Sequence, residues 1–150
     1  MWLWGWLAFR IRIYDNSLGV DLPLWTGAFG IPVMALGTLV ALLCVGAFVV
    51  RGHGTPAPFD APREFVAIGP YKYVRNPMYI GGWTVLFGLG LYLRSISILI
   101  LSFAMLLLAH LFIIFYEEPA LGRRFGATYK DYCASVNRWL PAPARAQREK

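Results

Sequence analysis

Long apolar runs alternate with short polar segments along this 150-residue chain. Residues 24–50 carry no charged side chain. As a helix they would rise about 40 Å, against about 30 Å for the hydrocarbon core of a bilayer. Residues 77–116 form a second apolar run that would rise about 60 Å, twice that thickness. Arg94 is the strong charge inside it, so the pattern predicts a helical hairpin with arms at 77–93 and 95–116.

Small residues mark the first arm of this hairpin. Gly81, Gly82, Gly88 and Gly90 lie on it, and small residues let membrane helices approach closely. No strand precedes the Gly-x-Gly at 88–90, which favours helix packing over a nucleotide-binding motif.

The N-terminus is apolar for only nine residues before Arg10 and Arg12, which is too short to span a bilayer. Its three tryptophans suit the membrane interface. We therefore predict an interfacial or partial helix at this end of the chain.

These patterns predict an all-α integral membrane protein built as a single domain, residues 1–150. Its parts are the N-terminal segment (1–23), three full transmembrane helices (24–50, 77–93 and 95–116), a proline-rich cytoplasmic loop (51–76), an amphipathic surface helix (117–141) and a tail (142–150). The surface helix is predicted from apolar residues at helical spacing, namely Leu121, Phe125, Tyr129, Tyr132 and Val136.

Composition and charge support this class. Hydrophobic residues make up 58% of the chain and charged residues 15%, against about 25% charged in typical soluble domains. The two cysteines exclude a disulfide-stapled module. Eleven of the 14 Lys and Arg residues lie in 51–76 and 117–150, and the positive-inside rule then predicts both segments in the cytoplasm. This topology explains the net charge of +6, so we predict no nucleic-acid partner, and no spacing indicates a metal.

The loop at 51–76 is stiff and partly apolar, since five prolines lie between residues 56 and 77 among several aromatic residues. Such a segment suits a lid over a binding site. The alternative is a connector that lies along the membrane surface.

Glu117 and Glu118 directly follow an apolar run, where carboxylates are costly at membrane depth. Pro119 indicates that a new helix starts here, with the pair at its favourable N-terminus. A break between the two helices would also make a polar notch at the bilayer edge. His110 lies two turns earlier on the same face. We predict either a functional histidine paired with Glu117 or a tyrosine, or a buried histidine bonded to a backbone or hydroxyl oxygen.

Three motifs together carry a family resemblance: GPYKYVRNPMYIGG at 69–82, YEEP at 116–119 and FGATYKDYCASVNRWLP at 125–141. The chain resembles the integral membrane methyltransferases of the isoprenylcysteine carboxyl methyltransferase and phospholipid methyltransferase families. The resemblance implies that S-adenosylmethionine binds between the loop and the end of the last span. Its product would be S-adenosylhomocysteine.

The resemblance also implies site residues. The expected cofactor-binding residues are Gly37, Phe65, Val66, Tyr71, Asn76, Pro77, Met78, Tyr79, Glu117 and Glu118, and the intramembrane His110 is added to them. Two residues are expected to be catalytic: Glu118 as the base for an amine acceptor, and Arg75 as the group that holds an acidic acceptor or the cofactor carboxylate.

Two departures bear on the substrate. The isoprenylcysteine enzymes have His at the position of Asn76 and Arg at that of Ile113, which argues against a prenylcysteine carboxylate. The prediction is an S-adenosylmethionine-dependent methyltransferase for a lipophilic or membrane-associated acceptor, in a bacterial inner membrane rather than the endoplasmic reticulum. The alternatives are methylation of a small thiol, a non-catalytic membrane scaffold or transport subunit, and a family member that binds the cofactor without turnover.

Overall fold

The computed structural model describes residues 2–19, 22–52 and 67–141, and all regular secondary structure within them is helical. The helices are α1 (Trp2–Ile11), α2 (Asp15–Leu18), α3 (Leu24–Ala47), α4 (Pro77–Tyr92), α5 (Ile96–Phe112) and α6 (Glu118–Ser135). Shorter helical turns adjoin them at Arg12–Tyr14, Phe48–Gly52, Gly69–Lys72 and Ile113–Glu117. The all-α prediction is therefore confirmed for these residues.

Two helical stretches in the described part of the chain are long and apolar enough to cross a membrane, Leu24–Val50 and Ile96–Ser135. The prediction of three full transmembrane helices is wrong in this respect. The 16 residues of α4 rise about 24 Å, which is short of a hydrocarbon core of about 30 Å. Pro77 begins this helix because proline suits the first turn, and the turn at Arg94 follows its end.

Residue contacts divide the chain into two compact units, one of Met1–Thr38 with Gly81–Ala109 and the other of Leu39–Ile80 with His110–Lys150. In the first unit, α4 and α5 form the predicted hairpin. Arg94 occupies its turn with a left-handed φ of 51°. The amide of Ser95 donates to the carbonyl of Gly90 over 2.9 Å and closes the turn.

Glycines bring α3 and α4 together in the same unit. A Cβ atom on Gly37 would lie 2.7 Å from the carbonyl oxygen of Gly81, and one on Gly88 would lie 2.8 Å from the amide nitrogen of Met34. Both positions require glycine because the two helix backbones touch there. The predicted packing role of the α4 glycines is confirmed at Gly88.

The N-terminal helices pack against α5, a role that the predicted interfacial helix did not include. Ala8 on α1 is fully buried and contacts Ile98 and Leu101. Asp15 on α2 accepts a hydrogen bond on Oδ1 from the amide of Ser97 over 2.9 Å. A side chain from another helix thus satisfies one of the free amides at the start of α5.

In the second unit, a π-helical turn at Ile113–Glu117 joins α5 to α6 where the sequence predicts a break. α6 kinks at Gly126, which has φ 54° and ψ −123°, and it ends at Ser135. The predicted surface helix at 117–141 is therefore shorter than expected. After Ser135 the described residues 136–141 are not helical, and the chain turns back toward the start of α6.

Candidate functional site

A cavity in the second unit lies between the segment that precedes α4 and the junction of α5 with α6. It holds about 90 Å³. The lining residues are Phe48, Tyr71, Arg75, Asn76, Ile113, Glu117, Glu118, Leu121, Tyr129 and Tyr132. Aromatic rings, carboxylates and a guanidinium therefore share one small space, and both predicted catalytic residues are among them.

Tyr71 forms the aromatic wall of this cavity. It lies in the tight turn Gly69–Lys72 and is 9% exposed, packed against Cys44 and Ala47 of α3. Phe48 meets its ring edge-on, with 5.5 Å between the ring centroids. The hydroxyl of Tyr132 donates to the Tyr71 carbonyl over 2.7 Å. Burial raises the pKa of Tyr71, so its hydroxyl stays neutral.

Glu117 ends the π-helical turn, a local geometry that is often found at functional sites. Its Oε2 accepts a hydrogen bond from the hydroxyl of Tyr79 over 2.8 Å. Tyr79 lies in the first turn of α4, so this bond joins the two segments of the site. Both of the ion pairs formed among the described residues involve Glu118, so the only partner shown for Glu117 is neutral.

Glu118 is held by two guanidinium groups. Arg138 donates to it with both arms of its fork, Nε to Oε1 and Nη2 to Oε2, each over 2.8 Å. Nη1 of Arg75 lies 3.1 Å from Oε1. The hydrogen bond to Glu118 raises the pKa of Arg138, so both partners stay charged. A carboxylate between two cations holds a proton weakly, which does not favour the predicted role of Glu118 as a base.

The carboxylate pair lies at the start of a helix, as the sequence predicts, but free amides of that helix do not compensate the charge of Glu118. Glu118 lies in the first turn of α6, with Pro119 next to it. Its amide is already bonded to the carbonyl of Ile113 across the π-helical turn. Because the helix continues through this point, the arginines rather than free helix amides compensate the charge of Glu118.

Arg75 is bound within the protein instead of being free for a ligand. Its side chain is 14% exposed, and Nη1 donates to the sulfur of Cys133 over 2.8 Å as well as pairing with Glu118. Its Nε is buried and has no hydrogen-bond partner among the described residues.

His110 has a partner that the sequence did not predict. Its Nδ1 accepts a hydrogen bond from the indole nitrogen of Trp139 over 3.0 Å, and the ring centroids lie 5.8 Å apart. The expected partner was Glu117 or a tyrosine. His110 does not line the cavity, and the hydrogen bond to Trp139 joins it to the chain that follows α6.

The other predicted cofactor residues fall into three groups. Asn76 lines the cavity, is 7% exposed and donates to the Arg138 carbonyl over 3.2 Å. Pro77 and Met78 do not line the cavity: Pro77 is fully buried, and Met78 packs on the cluster around Tyr71. Gly37 belongs to the first unit, where it serves helix packing.

Phe65 and Val66, also predicted to contact the cofactor, lie outside the described residues.

Sequence reasoning missed several residues of this site. Their spacing predicts Tyr129 and Tyr132 on the apolar face of a surface helix, and in the structure both line the cavity. Arg138 was counted only as a basic residue of the tail. The Asn-Arg-Trp string near the end of the third motif was the available signal, since an arginine in an apolar protein needs a counter-charge.

Comparison with known proteins supports the class that the fold and the site suggest, a helical methyltransferase. The family model for phospholipid methyltransferase matches residues 25–128. This match covers more than half of the chain, and the protein therefore belongs to the phospholipid methyltransferase family. No curated protein gave a significant match. No group of three or more His, Cys, Asp and Glu within the described ranges could hold a metal ion.

Proposed function

We propose that this protein is an S-adenosylmethionine-dependent methyltransferase that acts on a lipophilic or membrane-associated acceptor. Membership of the phospholipid methyltransferase family supports the reaction class. The observation that carries the proposal is Glu117, a carboxylate with no cationic partner among the described residues, in a cavity lined by aromatic rings. Such a site suits a ligand that brings a positive charge together with hydroxyl groups.

The residues present fit this cofactor. S-adenosylmethionine supplies a methyl group on a cationic sulfonium. The rings of Tyr71, Phe48 and Tyr129 line the cavity, and aromatic faces attract such a cation by about 0.5–2 kcal/mol. Glu117 can accept hydrogen bonds from ribose hydroxyls or from the ammonium group.

The two carboxylates have different tasks in this proposal. Glu118 is already neutralised by Arg75 and Arg138, so it fixes the geometry of the junction. Glu117 provides the charge that faces the ligand. For an amine acceptor, Glu117 is also the better proton acceptor of the two, because no described cation lowers its affinity for a proton.

The exposed surface of the helices supports a lipophilic acceptor. In the second unit, Leu42 and Val49 are 63% and 68% exposed on α3 and its terminal turn, and Phe115 is 76% exposed in the π-helical turn. Exposed apolar residues in such numbers fit a protein surrounded by lipid. An acceptor dissolved in the bilayer could therefore reach the cavity laterally, and positioning with exclusion of water would provide most of the acceleration.

The topology belongs to the same proposal. We place the protein in the inner membrane of a bacterium, with the cavity on the cytoplasmic side. Basic residues are concentrated in the segments that flank the cavity, as the positive-inside rule requires. This orientation also gives the water-soluble cofactor access from the cytosol.

Calorimetric titration with S-adenosylhomocysteine tests the cofactor assignment. The full-length protein in lipid nanodiscs should bind the ligand, and Glu117→Ala should weaken binding by tenfold or more. Asp131→Ala is the matched control, since Asp131 is an exposed carboxylate on α6, and it should bind like the native protein. Absence of binding by the native protein, or equal binding by Glu117→Ala, contradicts the proposal.

Transfer of a labelled methyl group tests the acceptor. Membranes that contain the protein are incubated with methyl-labelled cofactor, and the lipid, thiol and protein fractions are separated. Label in the lipid fraction that depends on Glu117 supports the proposal. Label in the thiol fraction shows that the acceptor is a small thiol instead of a lipid. Cofactor binding without label in any fraction indicates a protein that has lost turnover.

A further inference from the structure

The non-helical residues Asn137–Trp139, which we call the C-terminal clasp, hold both segments of the site from outside the cavity. They follow α6, and each of the three residues makes a contact with a residue far away in the sequence. The Asn137 carbonyl accepts from the amide of Arg75 over 2.9 Å, and the Arg138 carbonyl accepts from the side chain of Asn76 over 3.2 Å. The clasp is thereby fixed to the segment that precedes α4.

The side chains of the clasp reach the other segment. Arg138 binds both oxygens of Glu118, and Trp139 donates to His110 on α5. Two consecutive residues therefore contact the two ends of the α5–α6 junction, one on each side of the π-helical turn. The main chain of the clasp contacts one half of the site and its side chains contact the other half.

The contact between Arg138 and Glu118 has the geometry of a specific positioning device. A guanidinium fork that meets a carboxylate along two parallel bonds fixes orientation as well as distance. Arg138 is 30% exposed on its side chain and Glu118 is 19% exposed, so water screens the pair only in part. Buried Val136 anchors the chain immediately before the clasp.

We propose that Arg138 is a positioning residue for the cofactor site. It acts through Glu118: the fork fixes this carboxylate, and Glu118 in turn holds Arg75 and the start of α6. The orientation of Glu117, which directly precedes Glu118 and ends the π-helical turn, depends on that arrangement. This inference rests on the proposed function, because it concerns how well the site accepts its cofactor.

The experiment compares S-adenosylhomocysteine binding by the native protein, Arg138→Ala and Arg138→Lys in nanodiscs. Arg138→Ala should raise the dissociation constant about tenfold, and lysine should restore only part of the loss because it lacks the fork. Addition of guanidinium ion at millimolar concentration should restore binding by Arg138→Ala. Arg123→Ala removes an exposed arginine of α6 and should bind like the native protein.

A double-variant cycle separates positioning from general stability. In a Glu118→Gln background, Arg138→Ala should cause little additional loss, because the two residues act as one unit. An equal loss in both backgrounds overturns the proposal. The proposal is also overturned if Arg138→Ala binds S-adenosylhomocysteine with the affinity of the native protein. If Arg138→Ala does not fold, as judged by size exclusion and thermal unfolding, Arg138→Gln is measured in the same cycle.

The outcome also distinguishes this inference from the function on which it rests. If the native protein does not bind S-adenosylhomocysteine, the proposed function fails. If the native protein binds and Glu117→Ala weakens binding while the Arg138 variants bind normally, only the role of the clasp is refuted.

Discussion

The hydroxyl of Tyr79 donates to Oε2 of Glu117 over 2.8 Å, across 38 residues of sequence. This hydrogen bond holds the carboxylate of Glu117, at the end of the π-helical turn, from the first turn of α4. Glu118, its immediate neighbour, is bound by two arginines instead. The two adjacent carboxylates therefore differ in charge environment, and this difference is the basis of the functional proposal.

Removal of the Tyr79 hydroxyl should weaken cofactor binding while the fold is kept. A hydrogen bond to a charged group contributes about 1.5–3 kcal/mol, so we expect Tyr79→Phe to raise the dissociation constant of S-adenosylhomocysteine about tenfold. Tyr73→Phe, at a residue that is 58% exposed, is the control and should bind normally. Unchanged affinity of Tyr79→Phe in the calorimeter would show that this bond does not position Glu117.

Gly37 should prove to be a packing residue. A Cβ atom there would overlap the backbone of α4, so Gly37→Ala should reduce the free energy of unfolding by about 1–3 kcal/mol. Gly82→Ala is the matched control, since nothing lies within 4 Å of a Cβ at that position. Unfolding is followed by circular dichroism in detergent. The opposite pattern, normal stability with weakened cofactor binding, would support the role that the family resemblance implies for Gly37.

Asp15 should make stability depend on pH in the acidic range. Burial opposes its ionisation, but hydrogen bonds from Ser95 and Ser97 outweigh this and lower the pKa of Asp15 below its ordinary value of 3.8. A depressed pKa in the folded state contributes stability that is present above the unfolded pKa and is lost as the pH falls through the folded pKa. Asp15→Asn keeps a cap on α5 without a titrating group.

The measurement compares thermal unfolding of the native protein and Asp15→Asn from pH 6 down to pH 3. The stability that the charge of Asp15 gives the native protein over Asp15→Asn should be present at pH 6 and should be lost toward pH 3. A difference between the two proteins that stays constant across this range would refute the contribution of the Asp15 charge.

The bond between Trp139 and His110 should stabilise the end of α5. Trp139→Phe keeps the ring and removes the donor, so we expect a loss of about 1 kcal/mol in the free energy of unfolding. Trp25→Phe changes a tryptophan that is 65% exposed and serves as the control. Equal melting temperatures for the two variants would show that the bond contributes nothing to stability.

Much of the fold could be predicted from the sequence because helix formation follows local pattern. The apolar runs predicted α3 and the hairpin of α4 and α5, and Arg94 was correctly assigned to the turn. The extent of α4 was also predicted, 77–93 against the observed Pro77–Tyr92, because Pro77 and Arg94 mark its two ends. The error was to expect a helix of this length to cross the bilayer in full. The break expected after Tyr116 is a π-helical turn, because the chain there continues its hydrogen bonds across five residues.

The site was predicted in part. The motifs identified Tyr71, Asn76 and the carboxylate pair, and the structure places all of them at one cavity. Arg138 and the tyrosines of α6 were missed because their spacing is that of an ordinary amphipathic helix and tail. Whether such a face meets lipid, water or another segment depends on distant residues.

The sequence by itself determined that this chain is helical, apolar and marked by two carboxylates after a long apolar run, because periodicity and charge are properties of neighbouring residues. Only the tertiary structure decided what each carboxylate does. Adjacent side chains on a helix project about 100° apart, so Glu117 and Glu118 face different partners. Those partners, Tyr79 and Arg138, lie 38 and 20 residues away, and only folding brings them to the site.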